Sequence, residues 1–226
     1  MRSKALVIGL AAVLGVAGGV VTAFAMPRHV DDPLHLGTAL ANQPCQEGRS
    51  VVIVHAGPRN SLLSSAVASN RGARYLRTAE SCHTVWRYQA PDDTAVRPDP
   101  EYVVYLGPYA TNDACEIRMQ GEHRGDVVTM LSSTSTRTVQ CVCHVNLATA
   151  PSLREGMFAD DREVIWIRQL QDMFRDVHLL PDVTGVFDRA TQDAVRVEQT
   201  RLGLPPTGFV DGTTWKHIAK LCRNYA

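Results

Sequence analysis

The 226-residue sequence is short of several things, beginning with net charge: 23 Lys plus Arg are matched by 23 Asp plus Glu. Phosphate-backbone binding normally leaves a basic excess, so nucleic acid is not expected as a partner. Lysine is scarce, occurring only as Lys4, Lys216 and Lys220, and there is neither a basic tail nor an acidic tract. Strings that announce common catalytic frames are missing: no His-Glu-x-x-His helix, no Gly-x-Ser-x-Gly elbow and no Ser-x-x-Lys. What is present in ordinary amounts, 45% apolar and 20% charged residues, excludes wholesale disorder. At roughly 100–200 residues per domain, the length allows one large domain or two small ones.

Uncharged sequence is concentrated at the amino terminus. Arg2 and Lys4 precede a run from Ala5 to Met26 with no charge and one hydroxyl residue, Thr22. As a helix rising 1.5 Å per residue, it would span about 33 Å, enough for a hydrocarbon core of about 30 Å. It also ends in Ala23-Phe24-Ala25, an A-x-A pattern open to signal peptidase. The run is longer than the apolar core of a usual signal, which favours an uncleaved membrane anchor over a cleaved one. Either reading holds the basic tip in the cytoplasm and places the body outside. Without Arg2 and Lys4, the exported part has an excess of two acidic residues, which argues against simple electrostatic adhesion to an anionic surface.

The cysteines agree with export. Cys45, Cys82, Cys115, Cys141, Cys143 and Cys222 all follow the apolar run and are even in number, as an oxidising compartment favours. Cys141-Val142-Cys143-His144 invites a zinc reading, but a structural zinc site wants a second close pair and the other cysteines are scattered. No metal or other cofactor is therefore expected, and disulfides are.

Residues 27–44 mix Asp31, Asp32, Pro33, Gly37 and Asn42 without periodicity and read as a linker. A second break, at 148–159, starts with Ala148-Thr149-Ala150-Pro151-Ser152. Two units follow from these breaks, 45–147 and 160–226. In the first, the β-branched run Val51-Val52-Ile53-Val54-His55-Ala56-Gly57-Pro58 is echoed 50 residues later by Tyr102-Val103-Val104-Tyr105-Leu106-Gly107-Pro108-Tyr109. Helix-start residues Asn60 and Thr111 follow, with apolar spacing at Leu63, Ala66 and Val67 and at Ala114 and Ile117. Strand-like stretches at Arg74 to Trp86 and Val127 to Val145 complete a β-α-β-β-α-β order. That order predicts an α+β unit, one antiparallel sheet with both helices on one face.

This order, with Val104-Tyr105-Leu106-Gly107-Pro108-Tyr109 leading into Thr111-Asn112-Asp113-Ala114, resembles the second half of SPOR (sporulation-related repeat) domains. Members of that family bind bacterial peptidoglycan glycan strands. His55-Ala56-Gly57-Pro58 departs from the family's usual opening, and no glycan-contacting residue carries over. Gly72-Ala73-Arg74-Tyr75-Leu76 before Ser81-Cys82, and Ala114-Cys115 in the second helix, are similar to a cysteine-bearing variant in extracytoplasmic bacterial proteins.

The second unit contains a duplication. Thr184-Gly185-Val186-Phe187-Asp188-Arg189-Ala190-Thr191 recurs 23 residues later as Thr207-Gly208-Phe209-Val210-Asp211-Gly212-Thr213-Thr214. Glycine permits a turn with positive φ, the next two apolar residues are expected in the core, and Asp188 or Asp211 can cap the following helix. One helix is predicted after each Asp, and an earlier one from Asp161 to about Val177 on the spacing of Val164, Ile167, Leu170, Phe174 and Val177.

The set Leu170-Gln171, Gly185-Val186-Phe187-Asp188 with Thr191, Ala194-Val195, Gln199, Gly203-Leu204, Gly208-Phe209-Val210-Asp211 and Thr214-Trp215 resembles the three-helix peptidoglycan-binding domain often attached to cell-wall hydrolases. The resemblance spans nearly all of 162–222 and implies Gln171, Phe187, Arg189, Gln199 and Trp215 as candidate wall contacts. Packing competes with binding for Phe187 and Trp215, and an incidental exposed glutamine competes for Gln171 and Gln199. Two departures stand out. Glu198 occupies the place of an aromatic residue, and Val177-His178 replaces a glycine near the end of the first helix. The carboxylate either points to solvent on a slightly rotated helix or marks lost affinity, and Phe209 is expected to help fill the vacated volume.

The resulting expectation is a noncatalytic, extracytoplasmic bacterial protein that binds peptidoglycan through 160–226, tethered to the membrane or secreted to the wall. An adaptor whose SPOR-like unit binds a protein partner is the rival. A cell-wall hydrolase, or an accessory of one, is the third reading, because paired carboxylates meet only in a fold. The expected disulfides are Cys82 with Cys115, Cys45 with one of Cys141 and Cys143, which share a strand face so that either can reach, and the other with Cys222; the choice falls on Cys45 with Cys141 and Cys143 with Cys222.

Overall fold

The computed structural model describes residues 31–59, 61–82, 86, 98–120, 127–134, 138–157 and 161–224. The apolar run at 5–26 and the helix-start residue Asn60 lie outside them. Among the described residues, no helix is long and apolar enough to cross a membrane.

The protein is α+β. Strands β1 (Leu40–Ala41), β2 (Arg49–Gly57), β3 (Arg74–Arg77), β4 (Tyr102–Ala110) and β5 (Val127–Met130) form one sheet in the order β1-β3-β4-β2-β5. Helix α1 (Ser61–Ser69) follows β2, and α2 (Thr111–Met119) follows β4. Four strands pair antiparallel, with Ile53 opposite Tyr105 and Val52 opposite Val128, as the β-α-β-β-α-β order requires. The fifth corrects the expectation of a purely antiparallel sheet: β1 pairs parallel to β3, so the sheet is mixed. β1 lies in the stretch 27–44 expected as a linker. Its described part is docked by Asp32, whose carboxylate accepts from Tyr75 Oη at 2.8 Å, Gly37 N at 2.8 Å and Leu36 N at 3.0 Å. Leu34 is buried there. Fixed polar contacts do the work that periodic apolar residues do elsewhere.

Both sheet faces are covered, which explains why β2 and β4 read as continuous apolar runs. Val52, Tyr75, Val104, Leu106 and Val128 pack with Leu63 of α1 and Ala114, Cys115 and Met119 of α2. Val51, Ile53, Leu76, Val103 and Tyr105 face the other way, under Cys82, Trp86 and Leu131. Thr111 opens α2 without capping it; its hydroxyl meets that of Ser50 at 2.9 Å.

This layering overturns two expected disulfides. Cys82 and Cys115 lie on opposite faces of the sheet, so they cannot meet. Cys82 pairs instead with Cys45, alongside a Cys82 N to Gln43 O bond of 2.7 Å. Cys141 pairs with Cys115 rather than Cys45. The extended strand expected to reach Val145 ends at Met130, and Cys141–Cys143 form a 3-10 turn. In such a turn, residues two apart diverge instead of sharing a face. Cys141 thus reaches back to α2, while Cys143 joins Cys222.

The carboxy-terminal unit comprises α3 (Asp161–Asp176), α4 (Arg189–Arg201) and α5 (Gly212–Ile218), followed by a 3-10 turn at Ala219–Asn224. Its core continues into that of the sheet unit: Ile165, Ile167, Leu170, Phe174, Phe187, Val195 and Trp215 belong to the same buried cluster as Val52 and Val104. The stretch 148–159 is, over its described residues, no free linker. Leu153 is fully buried and bridges Val210 in both directions, at 2.8 and 2.9 Å, which fixes this stretch on the carboxy-terminal unit.

Candidate functional site

The duplicated sequence folds twice into one device. Gly185 and Gly208 take φ of +78° and +72°, the left-handed conformation glycine adopts without strain. Asp188 Oδ1 accepts from Thr191 N at 2.8 Å, and Asp211 Oδ1 from Thr214 N at 2.7 Å, satisfying first-turn donors of α4 and α5. The Thr214 N–H holds the Asp211 carboxyl below its ordinary value.

A glutamine from the preceding helix clamps each turn. Gln171 Oε1 accepts from Gly185 N at 2.8 Å, while its Nε2 lies 2.9 Å from Val186 O, 2.9 Å from Thr191 Oγ1 and 3.1 Å from Thr184 Oγ1. Gln199 repeats the pattern with Gly208 N at 2.9 Å, Phe209 O at 2.8 Å, Thr207 Oγ1 at 3.1 Å and Thr214 Oγ1 at 3.2 Å. The two glutamines are 1% and 2% exposed. Both readings of them, wall contact or incidental surface residue, assumed exposure and are corrected. Their amides are committed to the turns and closed off from solvent.

Two more candidate contacts are core. Phe187 is fully buried, and so is Trp215, whose ring meets Trp166 edge-on at 5.5 Å and whose Nε1 donates to Pro151 O at 2.8 Å. Arg189 alone of the five is exposed, 3.4 Å from Asp193 Oδ2. Glu198 does not point to solvent. It is 1% exposed and is held by Arg201 through Nε–Oε2 and Nη2–Oε1 bonds of 2.8 and 2.9 Å. The vacated aromatic position is filled by this ion pair, not by Phe209, which is 37% exposed.

Only one of the two apolar residues after each glycine enters the core. Phe187 and Val210 are inward, while Val186 and Phe209 face solvent, because consecutive residues of extended backbone point opposite ways. Two guanidiniums lie against the turns. A Cβ placed on Gly185 would fall 2.8 Å from Arg168 Nε, and one on Gly208 would fall 3.0 Å from Arg196 Nε. These arginines and the outward residues did not emerge from the sequence. The signal was there in Arg168-Gln169-Leu170-Gln171 beside Arg196-Val197-Glu198-Gln199, an extension of the repeat upstream of each turn.

The two units meet through polar side chains as well as Cys143–Cys222. Gln169 Oε1 accepts from Cys141 N at 2.6 Å. Gln140 Nε2 donates to Asp172, which also pairs with Arg175, and all three residues are buried. Burial pushes the Asp172 carboxyl up to about 7; the Asp176 carboxylate adds to this, while the Gln140 donor and Arg118 oppose it. Burial likewise lowers Arg175. Cys141 and Cys143, both in disulfides, are not available as thiolate metal ligands.

Residues 167–218 match the family model described as "Putative peptidoglycan binding domain". The match spans the clamped turns, both Asp caps and Trp215, and it puts a domain similar to that family near the carboxy terminus. No curated protein and no solved structure matches the chain.

Proposed function

We propose that this is a noncatalytic, extracytoplasmic protein that binds peptidoglycan through its carboxy-terminal unit. The family match over 167–218 carries the reading, and three disulfides that use every cysteine support an oxidising compartment. The match is to a binding domain that also occurs beside hydrolase domains, so the noncatalytic character belongs to the proposal. The SPOR-like resemblance makes the sheet unit a second wall- or partner-binding module. Because the two units share one buried core and a disulfide, they act at a fixed mutual orientation rather than as beads on a string. An amino-terminal anchor would hold both near the membrane.

Sedimentation with purified sacculi tests the reading. The oxidised chain pellets with sacculi and stays in solution without them. A chain that remains in the supernatant at micromolar concentration, while a protein partner captures it through the sheet unit, returns the adaptor reading in its place.

A further inference from the structure

The duplication preserves more than folding requires. The glycine, the inward apolar residue, the Asp cap, the Thr hydroxyl and the clamping Gln all serve the turn and its helix. Two other features recur in both copies without serving it. The outward residue is apolar and open to water, Val186 at 47% and Phe209 at 37% exposure. An arginine three positions before each Gln lays its guanidinium on the glycine. Arg168 Nε is buried with no hydrogen-bond partner among the described residues, whereas Arg196 Nη1 is held by Asp193 at 2.5 Å. A buried donor left unpaired costs free energy, so folding alone does not account for holding Arg168 against Gly185. An apolar side chain left in water gains nothing for the fold.

We infer that these two places, Arg168 with Gly185 and Val186 and Arg196 with Gly208 and Phe209, are repeat-related contact points for the acidic stem peptides of peptidoglycan. The inference rests on the proposed wall binding and names the part of the polymer that is recognised. Each place offers one guanidinium for a carboxylate and one apolar surface beside it for a methyl-bearing residue. Stem peptides present that combination; the glycan, whose lactyl carboxyls are neutral amides in the intact wall, does not. The unit's tryptophans, whose broad rings are suited to stacking on sugars, are buried at Trp166 and Trp215. Two weak contacts on one small unit gain by avidity on a polymer that repeats its peptide.

The test uses the full oxidised chain and three binding partners: intact sacculi, sacculi stripped of stem peptides by an amidase with the freed lactyl carboxylates capped as neutral amides, and soluble muropeptides. Expected results are binding to intact sacculi, loss of at least about tenfold on stripped glycan, and competition by muropeptides. The double variants Val186→Ser with Phe209→Ser and Arg168→Gln with Arg196→Gln each weaken binding to intact sacculi by about tenfold or more, with unchanged circular dichroism. The stripped-glycan arm uses unaltered protein, so it decides even if a variant fails to fold. Equal binding to stripped and intact sacculi overturns the inference while leaving wall binding standing, as does full binding by both folded double variants. No binding to intact sacculi overturns wall binding itself and this inference with it.

Discussion

Replacing Gln199 by alanine should unfold the chain more readily, not detach a folded one from its ligand. The side chain is 2% exposed and bonds the Gly208 N–H and the Phe209 carbonyl within a buried turn. Removing it leaves both backbone groups without their partner, at about 1–3 kcal/mol for each unsatisfied group. The Thr207 and Thr214 hydroxyls, 3.4 Å from Phe209 O, recover part of the carbonyl's loss. The vacated side-chain volume adds to the cost, so the net expectation is about 3 kcal/mol. For a chain of this size that lowers the melting temperature by roughly 6–12 °C. Urea denaturation followed by tryptophan fluorescence reads it directly, since Trp166 and Trp215 lie in the core of the affected unit. Gln199→Glu serves as the isosteric control: it keeps the volume but exchanges the donor for an acceptor facing Phe209 O, and should be destabilised as well. Gln171→Ala should behave like Gln199→Ala, because its partners are the same set in the first copy. A Gln199→Ala protein with wild-type stability and lost sacculus affinity would refute the clamp and reinstate the glutamine as a ligand contact.

Three further outcomes follow from the geometry. Asp172 has a folded-state pKa of about 7, raised by burial from an ordinary value of 3.8. Its contribution to stability is therefore complete below about pH 4, declines as pH rises towards 7 and is absent above; Asp172→Asn should flatten that part of a stability-against-pH profile measured by urea titration. Opening Cys143–Cys222, which are 79 residues apart, by replacing both with serine should cost up to about 4.5 kcal/mol on a chain-entropy estimate, and amide exchange should accelerate first at Cys141–Cys143 and Ala219–Asn224. Gly208→Ala should cost about 1–2 kcal/mol more than Gly203→Ala by thermal denaturation. Both have φ of +72°, but only at Gly208 would the added Cβ collide, 2.6 Å from Gln192 Cγ.

Local chemistry was legible in the sequence wherever a residue acts on its near neighbours. The Asp188 and Asp211 caps, the left-handed glycines after Thr184 and Thr207, and the two helices they open follow from spacing, and the family match over 167–218 agrees with that repeat. The β-branched runs marked β2 and β4 for the same reason: a strand buried on both faces is apolar along its whole length. Residues 27–44 and 148–159 read as linkers in the sequence because the described part of each is anchored by contacts that leave no period, such as Asp32 with Tyr75 and Pro151 with Trp215.

What the sequence by itself determined is thus the inventory: an uncharged amino-terminal run, a βαββαβ order, a duplicated turn-helix element and six cysteines in an even set. Tertiary structure decided which of these residues face one another and which face water. The sheet separates Cys82 from Cys115, the 3-10 turn sends Cys141 and Cys143 in different directions, and the turns draw Gln171 and Gln199 inward while leaving Val186 and Phe209 outside. Caps and turns depend on dihedral preferences within a few residues, and a sequence carries those directly. Burial and disulfide partnership depend on what the chain brings to the same place from tens of residues away.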